Sequence, residues 1–318
     1  MNTPLKSAVL FLVFNRPDTT IHVFEKIRQA KPSKLYVASD GPREGYNGEI
    51  EKVAKVREIA TKVDWPCELK TLFRDNNLGC KKGVSTAITW FFEHEEQGII
   101  LEDDCVPHLD FFTYCENLLN FYSEEKKISV ITGDNFQNGK WHGDGSYYFS
   151  KYNHCWGWAS WKRAWMNYQG DINFWPSWKN SKSWKNHIPD KVERIYWEKI
   201  FDKVYHGKVN SWAYPWLAST WFKGGLTATP NVNLVSNIGF GEGATHTMSK
   251  NDKNSNMETS SLKILKYTNI IKKNIKADDW TFNHHYEGKK LRFPYKWIIF
   301  PYRVLKYVMR KINLVFKS

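Results

Sequence analysis

The first half of the chain alternates between short apolar runs and amphipathic stretches, and this rhythm narrows the fold more than any other feature. "AVLFLVF" (8–14) is a continuous apolar run of the kind that forms a strand covered on both faces. Asp18 is placed to cap a helix reaching about Gln29. "KLYVAS" (34–39) is a second strand, closed by the turn "DGPREG", and residues 49–62 follow as a helix. "CELKTLF" (67–73) alternates like a strand, and "GVSTAITWFFEHE" (83–95) is helical. "GIIL" (98–101), "DFFTYCENLLNFY" (110–122) and "ISVITG" (128–133) continue as strand, helix and strand. The spacing predicts an α/β fold with a doubly wound, mainly parallel sheet flanked by helices. Ligands of such sheets sit at the carboxyl ends of the strands. "NRP", "SDGP" and "EDD" each fall just after a strand.

After Gly133 the rhythm gives way to short aromatic strands and loops, with helices near 190–206 and 214–223. The chain has 16 tryptophans, most of them between Trp141 and Trp221. Trp joins apolar area to a polar N–H, so this crowding is either a binding surface or an aromatic-rich core. Residues 249–261 are polar and read as a loop or linker. The expected organisation is a main domain over 1–248, with a nucleotide-binding half at 1–135 and an acceptor-side half at 136–248. A linker and extension (249–288) and a basic amphipathic tail (289–318) follow.

The formal net charge of +13 would fit a nucleic-acid binder, but its distribution does not. Residues 289–318 hold nine Lys or Arg and no acid, which leaves +4 for the rest of the chain. On a helical projection Leu305, Val308, Ile312, Val315 and Phe316 share one face, and Arg303, Lys306, Arg310 and Lys317 another. With Trp297, Ile298, Ile299 and Phe300 before it, this tail suits an interfacial anchor on an anionic membrane; the alternative is a helix docked on the core. The five cysteines are odd in number and form no CxxC pair, as expected of reduced thiols in a cytoplasmic protein. The first apolar run is too short to span a bilayer. The expected location is therefore cytoplasmic, peripheral at the inner face of the membrane.

"LEDDCVPHLDFF" (101–112) places three acids directly behind the apolar run "GIIL". Adjacent carboxylates at a strand end repel one another and gain from a divalent cation, which can bridge to phosphate and neutralise a leaving group. A solvated acidic loop or a helix N-terminus is the alternative for such a cluster. Its company decides between them. "GIILEDDCVPHLDFFTYC" resembles the acid segment of the GT-A nucleotide-diphospho-sugar transferases of the N-acetylglucosaminyltransferase I family, in which the acids precede a Pro and an Asp-Phe-Phe helix start. "VFNRPDTT" is similar to the first strand and Arg-bearing turn of that family. "YVASDGPRE" is similar to the strand whose Asp faces the nucleobase, and "NNLGCKKGVSTAITWFF" to the helix before the acids. "GLTATPNVNLVSNIGFGEGATHT" (225–247) looks like related bacterial enzymes, so the segments span about residues 8 to 247 in order.

The resemblance implies a metal-dependent transfer of a hexose or N-acetylhexosamine from a nucleotide-diphosphate donor, UDP-linked by preference. The transfer would be inverting, to an acceptor hydroxyl, and the basic tail suggests a glycan or lipid-linked glycan acceptor, as in polysaccharide biosynthesis at the inner membrane face. Asp104 would hold Mn2+ or Mg2+, Asp103 would face ribose or sugar hydroxyls, and Glu102 would support the site. Arg16 would contact the nucleotide and Asp40 a uracil N–H, although an Asp-Gly turn also explains Asp40. Lys82 or its neighbour Lys81 could approach phosphate or lie on a solvated helix face. "GDNFQNG" (133–139) would lie beside the sugar, with Trp156 and Trp158 of "HCWGWASWKRAW" forming the donor-sugar and acceptor wall. His246 would reach the diphosphate or stand as a structural histidine.

One position departs from the pattern. Inverting transfer needs a carboxylate to take the acceptor proton, and where the resemblance places that Asp, "NSWAYPW" has Ala213. The base is left open: elsewhere, with Glu242, Asp171 and Glu198 as candidates, lost by substitution, or displaced by a different alignment. Two other functions compete. A sugar-phosphate nucleotidyltransferase would carry a Gly-rich basic loop after the first strand, and "FNRPDTT" has no glycine. A non-catalytic nucleotide-sugar-binding protein would tolerate Ala213.

Overall fold

The computed structural model describes residues 4–241, 254–295 and 297. The tail helix expected over 303–317, together with Glu242 and His246, lies outside the described residues. The elements in chain order are β1 (Ala8–Val13), α1 (Pro17–Ala30), β2 (Lys34–Ser39), α2 (Glu49–Ala60), β3 (Glu68–Phe73), α3 (Gly79–His94), β4 (Gln97–Glu102), β5 (Cys105–Pro107), α4 (Leu109–Phe121) and β6 (Ile128–Thr132). They continue with β7 (Tyr147–Ser150), β8 (Trp158–Trp161), α5 (Lys162–Trp165), α6 (Trp175–Lys179), α7 (Lys182–His187), α8 (Lys191–Tyr205), α9 (Ala213–Phe222), β9 (Leu226–Pro230), β10 (Val235–Asn237) and α10 (Ile275–His284).

An eight-stranded sheet in the order β3-β2-β1-β4-β8-β6-β9-β7 forms the centre, with helices packed against it. β1 is fully buried and pairs in parallel with β2 on one edge and β4 on the other. This explains its unbroken apolar sequence, since neither face nor edge meets water. The parallel register matches Val13 with Ser39 and Leu12 with Glu102. The carboxyl ends of β1, β2 and β4 therefore emerge side by side, carrying Arg16, Asp40 and the three acids to one rim. β8 runs antiparallel between β4 and β6. A second sheet of two strands, β5 and β10, pairs Asn237 with Cys105 and carries the chain after β10 back past Asp104.

Two helix starts differ from expectation. Asp18 lies inside the first turn of α1, and Arg16 holds the cap position without a side-chain cap bond. Pro17 explains the earlier start, because its fixed φ suits the first helical position and it has no amide to satisfy. α3 begins at Gly79, four residues before the expected 83. Its first amides are satisfied from another strand: Leu78 and Gly79 N–H both donate to the Asp40 carboxylate, at 2.9 and 3.0 Å.

The tryptophans form core. Of the twelve from Trp141 to Trp221, ten are buried. Trp158, expected on a sugar-facing wall, is 1% exposed and stacks on Trp212 at 5.6 Å, with Trp165 and Trp216 against it. That corrects its assignment: as part of β8 it points into the layer between the sheet and α3, α5 and α9. A second aromatic cluster joins Trp175, Trp178, Trp184, Trp197 and Trp221 under α8 and α9.

The described part of the expected linker and extension packs into this half. The Asn274 N–H donates to the Phe149 carbonyl at 2.7 Å, and Gln137 Nε2 donates to Thr281 Oγ1 at 2.8 Å. Ser150 Oγ donates to buried Asp278 at 2.6 Å, beside a buried Lys151–Glu193 pair at 2.7 Å whose Glu193 also accepts from the Tyr152 hydroxyl. The five cysteines are free thiols. Among the described residues no helix is long and apolar enough to cross a membrane.

Trp158→Ala should lower the unfolding free energy by about 3–5 kcal/mol, the cost of emptying a large aromatic site. Trp156→Ala, at a half-buried position, should cost clearly less. Urea denaturation of both variants checks the contrast.

Candidate functional site

A cavity of about 300 Å³ opens at the shared rim of β1, β2 and β4. Its walls include Arg16, Asp40, Glu102, Asp103 and Asp104, and also Arg43, Arg74, Asn77 and Asn210. The acids do not stand unopposed. Arg16 Nη1 donates to Asp104 Oδ2 at 3.0 Å and to the Gly239 carbonyl at 3.3 Å. The Phe14 N–H donates to Asp103 Oδ2 at 3.0 Å. Burial, then the Asp104 charge, then the Asp103 charge raise the Glu102 carboxyl above its ordinary range, and burial and Asp104 do the same to Asp103. One guanidinium and one backbone amide thus meet the acids from the β1 side.

Backbone geometry holds Asp104 from both sides. The Ile238 N–H donates to the Asp104 carbonyl at 2.9 Å, an extension of the β5–β10 pairing. This presses Gly239 against the carboxylate, where an added Cβ would stand 2.0 Å from Oδ2. Glycine is required here by close approach. In donor chemistry, all carboxylate oxygen, the corner suits a hard divalent cation. Among the described residues no group of three or more His, Cys, Asp or Glu converges as a metal cage.

The basic side chains are fixed in turn. Arg43 donates to buried Glu49, which also accepts from Asn15 Nδ2 at 2.7 Å, and its guanidinium lies 4.0 Å from the Tyr46 ring centre. Arg43 holds the Glu49 carboxyl below its ordinary range against the opposing effect of burial. Arg74 donates to the Gly83 carbonyl at 3.2 Å and to Thr86 Oγ1 at 2.7 Å. Arg57 of α2 ties the ends of β2 and β3 together through Ser39 Oγ and the carbonyls of Asp40 and Arg74. Asp40 lines the cavity while its carboxylate caps α3, and Gly83 sits so close beneath it that an added Cβ would stand 2.9 Å from Asp40 Oδ2.

The remaining expected residues scatter. Lys82 is exposed on α3 and outside the cavity lining, and Lys81 is paired with exposed Asp171 at 2.7 Å. Glu198 accepts from Trp184 Nε1 at 2.9 Å in the aromatic cluster of α8, away from the rim. Ala213 is the first residue of α9, three residues past cavity-lining Asn210. Trp156 is half-buried between Phe136 and Phe240, with ring centres 5.1 and 5.7 Å apart. Phe240 directly follows Gly239, so this aromatic contact adjoins the acid corner. Asp134 of "GDNFQNG" is buried, accepts from the Thr132 hydroxyl, and has its carboxyl pushed up to about 7 by burial.

Sequence reasoning passed over Arg43, Arg74, Asn77 and Asn210. Arg74 follows β3 as Arg16 follows β1, so the strand-end rule extended to every parallel strand would have found it. Asn210 is reached only through the tertiary contact that lets its Oδ1 accept from the Lys81 N–H at 2.9 Å.

No known family model matches the chain, and no curated protein matches it. Among solved structures it is similar to HddC from Yersinia pseudotuberculosis, 11% identical at a TM-score of 0.32 over 54% of this chain and 85% of that one. UDP-glucose pyrophosphorylase complexed with UDP-glucose is 12% identical at 0.28, over 51% and 70% of the two chains. CMP:2-keto-3-deoxy-manno-octonic acid synthetase complexed with CTP is 13% identical at 0.38, over 70% and 89%. Overlaps this shallow decide no chemistry, and the site stands on its own residues.

Asp134 gives a pH test. Its ordinary carboxyl value is 3.8 and its folded value about 7, so between these the native state holds more protons than the unfolded chain. Stability then falls as pH rises across that window and is unaffected below it. Asp134→Asn should melt above the wild type at pH 8, with the gap closing toward pH 4. Thermal scans across that range check it.

Proposed function

We propose that this chain is a metal-assisted glycosyltransferase that takes a sugar from a nucleotide-diphosphate donor, by preference UDP-linked, and passes it to a hydroxyl of a glycan or lipid-linked glycan. One observation carries the proposal: a single cavity at the carboxyl ends of three parallel strands gathers Arg16, Arg43 and Arg74 around a carboxylate corner held by Gly239. Planar guanidinium groups suit phosphate and base edges. The carboxylates suit sugar hydroxyls and a cation that the diphosphate shares.

Asp104 would hold Mn2+ or Mg2+, and the chemistry supplied there is neutralisation of charge on the departing diphosphate. Asp103, oriented by the Phe14 amide, faces hydroxyls, and Glu102 sits behind it at the end of β4. Arg16 is placed to exchange its Asp104 contact for phosphate when donor and cation enter. The nucleotidyltransferase alternative is less well served, because the β1–α1 turn offers a proline and the Arg16 side chain where a triphosphate cradle needs a run of free backbone amides.

Incubation with a panel of nucleotide sugars and manganese separates the possibilities. Release of the nucleoside diphosphate is expected, and Asp104→Ala should lower kcat/KM by about 10²–10³-fold, the scale of losing electrostatic stabilisation of a leaving group. Pyrophosphate-dependent formation of a nucleoside triphosphate would instead establish the nucleotidyltransferase. Donor binding without turnover would establish a binding protein.

Ala213 offers no proton acceptor, yet it occupies the first turn of α9, where a carboxylate is favoured by the helix N-terminus. Ala213→Asp should raise sugar transfer by about 10²-fold if it supplies general-base catalysis, with donor affinity unchanged. Transfer and hydrolysis measured side by side on one donor check this.

A further inference from the structure

We propose that Phe293, Tyr295 and Trp297, with Lys289 beside them, form a docking face for an anionic lipid bilayer. The three aromatics alternate along the chain and turn outward, with 81%, 41% and 70% of their surfaces exposed. Large aromatic side chains at this exposure cost solubility unless something covers them. Lys289 Nζ lies 5.2 Å from the Tyr295 ring centre, so positive charge and aromatic surface share one patch.

The patch is held on the body of the protein. Arg292 forks onto Asp190 at the start of α8, with both bonds at 3.0 Å, and donates to Asn283 Oδ1 at 3.0 Å. Gly288, in the 3-10 turn Gly288–Leu291, packs so closely on Phe282 that a Cβ would meet the ring at 2.3 Å. These contacts fix the turn on its inner side and leave Phe293 and Trp297 on the outer side.

Charge complementarity selects the occupant. The 30 residues from 289 to 318 contain nine Lys or Arg and no acid, the composition that an anionic leaflet attracts. Rings such as Trp and Tyr settle at the headgroup level. Stable peripheral binding needs two signals together, and here an aromatic patch and a polybasic run are contiguous in sequence.

Flotation of the full chain with vesicles of phosphatidylcholine alone, or mixed with phosphatidylglycerol, tests the proposal. Binding to the mixed vesicles only is expected, and it should fall steeply with added salt. Phe293→Ser with Trp297→Ser should weaken vesicle binding by at least about tenfold, and Lys289→Glu by about fivefold or more. These side chains lie outside the core, so the melting temperature should not move and a folding defect is recognised if it does. Failure to bind mixed vesicles overturns the proposal, as does equal binding to neutral vesicles. Unchanged binding of the aromatic double variant overturns it too, by assigning the lipid contact elsewhere. Self-association lost in that variant, without vesicle binding, would assign the face to a second copy of the chain.

Discussion

Three consecutive carboxylates cannot gather at a half-buried strand end without opposing charge, and the rim of the sheet is organised around meeting that need. Burial alone raises the Glu102 and Asp103 carboxyls, and Asp104 adds to both. The relief comes from β1, whose parallel pairing with β4 sets the Phe14 amide on Asp103 and the Arg16 guanidinium on Asp104. The register of one strand pair thus turns an electrostatic cost into a paired site. The β5–β10 sheet closes the far side by drawing Gly239 onto Asp104. An apolar, fully enclosed β1 is the precondition for all of this, because only a central strand presents its end to neighbours on both sides.

The aromatic half contributes stiffness. Trp158, Trp165, Trp212 and Trp216 fill the space between the sheet and α9, and the residue before Ala213 is itself part of that stack. The start of α9 is therefore carried by packed rings. Interiors packed at crystal-like density transmit small displacements instead of absorbing them. The position where a base is expected is partly buried and packs against this cluster, although its side chain is a methyl group.

Much of the architecture was legible in the chain. β2 falls where "KLYVAS" predicts it, and α4 and α8 lie within a residue or so of their expected bounds. Continuous apolar runs and 3.6-residue periods are local signals, so they survive without tertiary knowledge. The acids at 102–104 and Arg16 were legible for the same reason, as polar residues directly behind apolar runs. Trp158 was not, because a tryptophan in a four-residue strand offers the same letters whether its ring faces solvent or core. The antiparallel insertion of β8 between β4 and β6 decides that, and no local pattern announces it. The early start of α3 was hidden too, since its cap arrives from Asp40, almost 40 residues away. Arg43 looked like part of a turn until Glu49 fixed it against the cavity.

Asp40 has one carboxylate and two attachments. It holds the first turn of α3 through the amides of Leu78 and Gly79, and it forms part of the cavity wall. Any molecule that polarises this carboxylate also changes the grip on α3, and any strain on α3 is felt at the wall. By reciprocity, the free energy that occupancy lends to the helix equals what a well-seated helix lends to occupancy. The far end of α3 reaches Tyr36 of β2 through the ring of Trp90, 5.3 Å away. The cavity wall and one layer of the fold thus share a single side chain at Asp40.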